Sequence, residues 1–150
     1  LRRAMQYLDP SASVPDRVRK AFDTLTEGVV ILDQQTRIVL ANRAFRQLHP
    51  DAGGQINGQP IDKLTWLSAG RQGSPDEPAP WVKTLQSSVT VDAEPLSVPQ
   101  PEGPATQLLV TTAPIADAKG RSRGCMVTFD YVTAVHRADN NVIPYWVTIQ

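Results

Sequence analysis

"VVILDQQTRIVLANRAF", residues 29–45, holds two apolar runs split by a short polar break, and the second run stops at Asn42. "VVIL" (29–32) and "RIVLA" (37–41) are rich in β-branched residues, and "DQQT" between them supplies a turn. Neither run alternates apolar with polar. A hairpin with one wet face alternates, so this pair is expected to be covered on both faces. Asn42 fits the next step. An N-cap residue keeps extended backbone angles while its side chain accepts an N–H from the first helical turn, so one position can close a strand and open a helix. "RAFRQL" (43–48) is then a brief helix, ended by Pro50, which disfavours helical geometry at His49.

Upstream, Val14, Val18, Ala21, Phe22 and Leu25 recur at helical spacing, with Arg17, Arg19 and Lys20 on the opposite side. Ser13 is the expected N-cap and Pro15 falls near the first turn, where a missing N–H costs least. This amphipathic helix, with Gly28 as its exit, is the cover expected for one face of the strand pair. Residues 1–8 read as a short helix stopped by Asp9-Pro10. Downstream, "IDKLTWL" (61–67) gives a helical turn or two, "SAGRQGSPDEPAP" (68–80) is loop, and "WVKTLQSS" (81–88) is a helix. Three strands follow, over 89–98, 107–115 and 123–132, the last two joined by the turn "ADAKGRS" (116–122). The order of helix, two strands, short helices and three strands predicts an α+β fold. It has a five-stranded antiparallel sheet, short helices on one face and the N-terminal helix over the other.

The chain has 150 residues, enough for one domain with a sizeable core. Its 15 basic and 15 acidic residues cancel without a long block of either sign, so it lacks the footprint of a nucleic-acid binder. Arg2-Arg3 and the Arg121/Arg123 pair read as solvated surface. With Cys125 the sole cysteine, no internal disulfide and no thiolate zinc cluster can form. No apolar run approaches the roughly 20 residues that cross a bilayer. The expectation is a soluble, cytoplasmic module without direct membrane contact. A first residue other than methionine suggests a piece of a longer chain.

"AFDTLTEGVVILDQQTRIVLANRAF" (21–45) and "TTAPIADAKGRSRGCMVTFDYVT" (111–133) together resemble the opening and closing segments of a PAS domain, the sensory module of histidine kinases and related signalling proteins. The resemblance runs from about Arg17 to Thr133, while 50–106 aligns only through its short helices. It implies three regions: an N-terminal helix and linker over 1–14, the sensor domain over 15–134, and a linker or tail over 135–150. Two departures stand out. Many members have glycine where this chain has Thr36, and positive φ is costly for threonine, so another turn geometry is expected. The family's exit aspartate, which helps couple the sheet to the outgoing helix, is replaced by Tyr131, with Asp130 one residue early. Adjacent strand positions face opposite ways, so Asp130 cannot substitute directly.

Other motifs favour plainer readings. "GRSRG" (120–124) satisfies the nucleophile-elbow pattern but follows a polar turn and precedes a strand, the wrong context for a catalytic Ser122. His49 reads as a helix-end surface residue and His136 lies past the core. Haem-binding members place a histidine on a middle-region helix, which 50–106 lacks, and flavin-binding members carry a cysteine in a segment absent here. No cofactor and no metal are expected. Trp66 and Trp81 read as aromatic anchors for helices on the sheet.

The resemblance thus implies a non-catalytic sensor and dimerisation module of a two-component system, in a sensor histidine kinase. It would form a homodimer through the N-terminal helix and sheet, bind a small molecule or partner, and pass the signal to an effector domain. Leu40, Leu109, Thr111, Val127 and Phe129 from the sheet, with Trp66 from the helices, are the candidate pocket. Asp33, Asn42, Asp130, Tyr131 and Thr133 are the structural or signalling candidates. A haem or flavin sensor and, more remotely, a small hydrolase are the alternatives. "VTAVHRAD" (132–139) begins like a coiled-coil linker, and "YWVTIQ" (145–150) is a candidate edge strand or a disordered tail.

Overall fold

A computed structural model describes residues 15–70, 77–136 and 142–148, with only the backbone described for 133–136 and 142–148. The helix expected over 1–8, the Ser13 cap and the linker at 137–141 lie outside the described residues.

Helix α1 (Asp16–Asp23) leads into β1 (Gly28–Leu32) and β2 (Ile38–Ala41). Four short elements follow: helix α2 (Arg43–Arg46), two 3-10 turns at Pro50–Gly53 and Ile61–Lys63, and helix α3 (Thr65–Gly70). Helix α4 (Pro80–Ser87) then precedes β3 (Val91–Val98), β4 (Thr106–Ala116), β5 (Ser122–His136) and β6 (Val142–Thr148). The first five strands form an antiparallel sheet in the order β2-β1-β5-β4-β3. The end of β5 runs on past its partners and pairs with β6, Thr133 opposite Val147 and Ala134 opposite Trp146. Residues 132–136 are therefore strand, where the sequence read as the start of a coiled coil.

Every residue of β1 and β2 is buried, as the unbroken apolar runs require. Val30, Leu32, Ile38 and Ala41 face the main core under α2–α4, while Ile31, Val39 and Leu40 form a smaller cluster on the opposite face. A register shift between Ile31 and Leu32 leaves Val39 with no opposite residue, so Val39 and Leu40 both belong to the second cluster. Helix α1 meets that face through half-buried Phe22; none of its residues is fully buried, and Leu25 lies beyond it, 41% exposed. Gly28 opens β1 rather than ending the helix. A Cβ there would lie 3.2 Å from the Phe45 Cα, so the glycine is what lets α2 pack against the strand.

The hairpin turn departs from expectation. Thr36 does adopt positive φ, 62°. Asp33 Oδ1 accepts the backbone N–H groups of Gln35 and Arg37, both at 2.9 Å, and Asp33 O accepts that of Thr36 at 3.1 Å. The aspartate supplies the backbone partners that hold the threonine in a region glycine would enter freely.

Candidate functional site

The space between helices and sheet is the natural ligand site of such a fold, and here it is filled with aromatic rings. Phe45 from α2 meets Phe129 from β5 at 5.2 Å and Trp66 from α3 at 5.6 Å between centroids, both tilted. His49 stacks on Trp66, 5.2 Å apart with planes 5° from parallel. The His49 side chain is only 10% exposed, not a surface residue as its helix-end position suggested. Its Nδ1 accepts the Asp51 N–H at 3.1 Å and so opens the 3-10 turn.

The candidate pocket residues divide between the two faces. Trp66, Val127 and Phe129 belong to the main core. Leu40 belongs to the second cluster, opposite Ile31. Leu109 and Thr111 are half-buried, and their neighbours Leu108, Val110 and Thr112 are the buried ones. The expected phase of β4 is thus one residue out. "LLV" is apolar in either phase, and only Gln107, which must point away from the core, marks the right one.

Thr112 brings the one hydroxyl pair into this core that the sequence did not flag. Its Oγ1 hydrogen-bonds Thr84 Oγ1 on α4 and donates to Pro80 O at 3.2 Å, fastening the helix to the middle of the sheet. The indole nitrogens of Trp66 and Trp81 are buried without a hydrogen-bond partner among the described residues. Each such donor costs about 1–3 kcal/mol. Trp81 lines a cleft between α4 and β3 whose water-sized interior is only about 10 Å³, close to the least that admits one water.

Asn42 is a junction of four hydrogen bonds. Its Oδ1 accepts the N–H of Phe45 at 3.0 Å, the cap expected from sequence, and also that of Val29 at 2.9 Å. Its Nδ2 donates to Phe22 O and Glu27 O, each at 3.0 Å. One fully buried amide therefore joins the end of α1, both strands of the hairpin and the start of α2. The extra bonds were not legible, because nothing local to Asn42 says which backbone passes beside it.

At the exit of the sheet, half-buried Tyr131 packs against the main core. Asp130 lies on the other face, beside Leu25, Thr26 and Glu27. A hydrogen bond that the protonated Glu27 carboxyl donates to Asp130, then partial burial and the Asp130 charge, raise the Glu27 carboxyl above its ordinary value. Thr133 sits in the stretch of β5 paired with β6.

Ser122 stands where the turn enters β5, its carbonyl accepting from the Gln34 amide. Burial pushes the Cys125 thiol up to about 12, so it stays protonated near neutrality. No group of three or more His, Cys, Asp or Glu suited to a metal occurs among the described residues. In the core layer Phe45 meets both Trp66 and Phe129, and the Thr84 and Thr112 hydroxyls are engaged with each other. No helix among the described residues is long and apolar enough to cross a membrane.

A family model described as the PAS fold matches residues 22–137. Among solved structures, the PAS domain of a Colwellia psychrerythraea protein superposes with a TM-score of 0.55 at 15% identity, over 79% of this chain and 96% of that one. The PAS domain of Bordetella pertussis BvgS gives 0.57 at 17%, over 83% and 88%. An RNA-binding Light-Oxygen-Voltage receptor gives 0.61 at 19%, over 82% of this chain and 36% of the other. A search of curated proteins finds no sequence match.

Proposed function

The chain belongs to the PAS-fold family, and from that premise we propose that it is a non-catalytic sensor and dimerisation module of a signal-transduction protein, a cytoplasmic sensor histidine kinase in a two-component system. The observation that carries the reading is the unequal cover of the two sheet faces. One face is sealed by α2–α4, while on the other Leu109, Thr111 and Met126 stay half-buried, and α1, which packs there through Phe22, has no buried residue of its own. A second copy of the chain, docking through α1 and this face, would complete the cover. Leu109 and Thr111 then serve the dimer rather than a pocket. A small molecule entering the main core would have to displace the layer of Trp66, Phe45 and Phe129, with Val127 beside it, and that displacement would repack α2 and α3 against the sheet. Asn42 ties α1 to the same helices, and Asp130, Tyr131 and Thr133 lie on the strand leading out to an effector domain.

Light scattering on the full chain and on a chain lacking residues 1–26 tests the dimer. The full chain is expected to dimerise and the truncated one to dissociate at the same concentration. A second variant, Leu109→Arg, guards against misfolding of the truncation and should dissociate the dimer while keeping its circular dichroism. An unchanged monomer–dimer balance in both variants overturns the reading.

A further inference from the structure

An open groove of about 610 Å³ lies outside the core, between α1 and the loop at 53–57, with Leu40 in its floor. Three arginines line it: Arg19 from α1, and Arg43 and Arg46 from α2. Asp23 is the one carboxylate in the lining, and its Oδ1 already accepts the Arg43 backbone N–H at 2.8 Å. None of the three arginines forms an ion pair among the described residues. Arg46 is held in place, donating from Nη1 to Gly54 O at 3.2 Å and from Nη2 to Asn57 Oδ1 at 3.4 Å. A guanidinium has five N–H donors, so those two bonds fix its plane and leave others to face the groove.

The geometry points to a binding site for a small molecule that carries more than one oxyanion group, carboxylate or phosphoryl, held between Arg19 on one bank and Arg43 and Arg46 on the other. Guanidinium forks match the planar or tetrahedral oxygens of both groups. The site is distinct from the core layer, and its floor residue Leu40 belongs to the smaller cluster on the opposite sheet face. Its two banks belong to separate elements, and α1 is the one held by few contacts: Phe22 against the second cluster, Asp23 to Arg43, and the Phe22 carbonyl to Asn42. An anion bridging the banks binds best when α1 is docked, and so shifts its population toward that state. The groove thereby reads an anionic metabolite into the position of the helix that precedes the sheet.

The test is a titration of the full chain with citrate and, separately, with inorganic pyrophosphate at constant ionic strength, followed by amide chemical shifts. Saturable shifts confined to α1, α2 and residues 53–57 are expected with at least one of the two anions. Response to citrate alone assigns a carboxylate ligand, to pyrophosphate alone a phosphoryl ligand, and to both the shared oxyanion chemistry. Arg43→Glu keeps the backbone N–H that Asp23 accepts and should weaken binding at least about tenfold, the loss of one charge-assisted contact. Arg19→Gln, on the exposed side of α1, should weaken it without altering the fold. Non-saturating shifts, shifts equally large at Arg121 and Arg123, affinity unchanged in both variants, or binding of an acidic peptide but neither small anion would each overturn the proposal.

Discussion

Replacing Asn42 by alanine removes four hydrogen bonds at once, from the N–H groups of Phe45 and Val29 and to the carbonyls of Phe22 and Glu27. Loss of a cap costs roughly 1 kcal/mol, and each buried backbone group left without a partner about 1–3 kcal/mol. The two carbonyls lie in part-buried surroundings and can recover some water, so a total near 3 kcal/mol is expected in urea unfolding. Asn42→Asp separates the two halves of the junction. The carboxyl keeps Oδ1 as an acceptor but turns a second oxygen toward two carbonyls, which only a protonated carboxyl can satisfy. Its pKa would be raised in the folded state, so the native chain would hold the proton more tightly than the unfolded one, and the variant should gain stability as pH falls toward the ordinary carboxylate range. A deficit independent of pH would show that the Nδ2 bonds contribute nothing. The residue scale also marks where local reading works. The cap and the existence of a turn after Asp33 are patterns of neighbouring residues and were legible, whereas the positive φ of Thr36 was not. The Val29, Phe22 and Glu27 partners come from 13 to 20 residues away and depend on how the elements pack.

Among the elements, α3 gives the sharpest test of packing. The sequence placed Gly70 in a Gly- and Pro-rich loop, but it is the last residue of α3, and a Cβ there would fall 2.1 Å from the Ser97 carbonyl oxygen of β3. That oxygen is backbone in a paired strand and cannot rotate away. Gly70→Ala must therefore push α3 off β3 or bend the strand, at a cost of about 1–3 kcal/mol or more. Thermal unfolding should show the loss, whereas Gly53→Ala, with nothing within 4 Å of the added Cβ, should be nearly silent and serves as the control. The element order was legible because periodicity and turn residues change together along the chain. The phase of β4 was missed, because Leu108, Leu109 and Val110 are apolar in succession and only Gln107 distinguishes the two phases. The extension of β5 over 133–136 was missed for a related reason: "VTAVHRAD" suits either state, and pairing with β6 decides it.

For the whole molecule, the distribution of burial sets which parts open first. The strands β1 and β5 lie in the interior of the sheet, and the buried residues of both faces depend on them. Their amides can exchange only when that double cover is lost, which is global unfolding. Helix α1 contributes no fully buried residue, and releasing it breaks the Asp23–Arg43 contact, the Asn42 donation to the Phe22 carbonyl and the packing of Phe22. Its opening free energy should therefore be a small part of the total. Hydrogen exchange followed by NMR is expected to show amides of α1 exchanging orders of magnitude faster than those of β1 and β5, by a route insensitive to dilute urea because it exposes little surface. If α1 also forms part of a dimer, its protection alone must rise with protein concentration, since only the docked helix is counted in the dimer's stability. Uniform protection of α1 and the sheet at every concentration would mean that the helix is not a separate unit, and that a bias applied to it must move the whole domain.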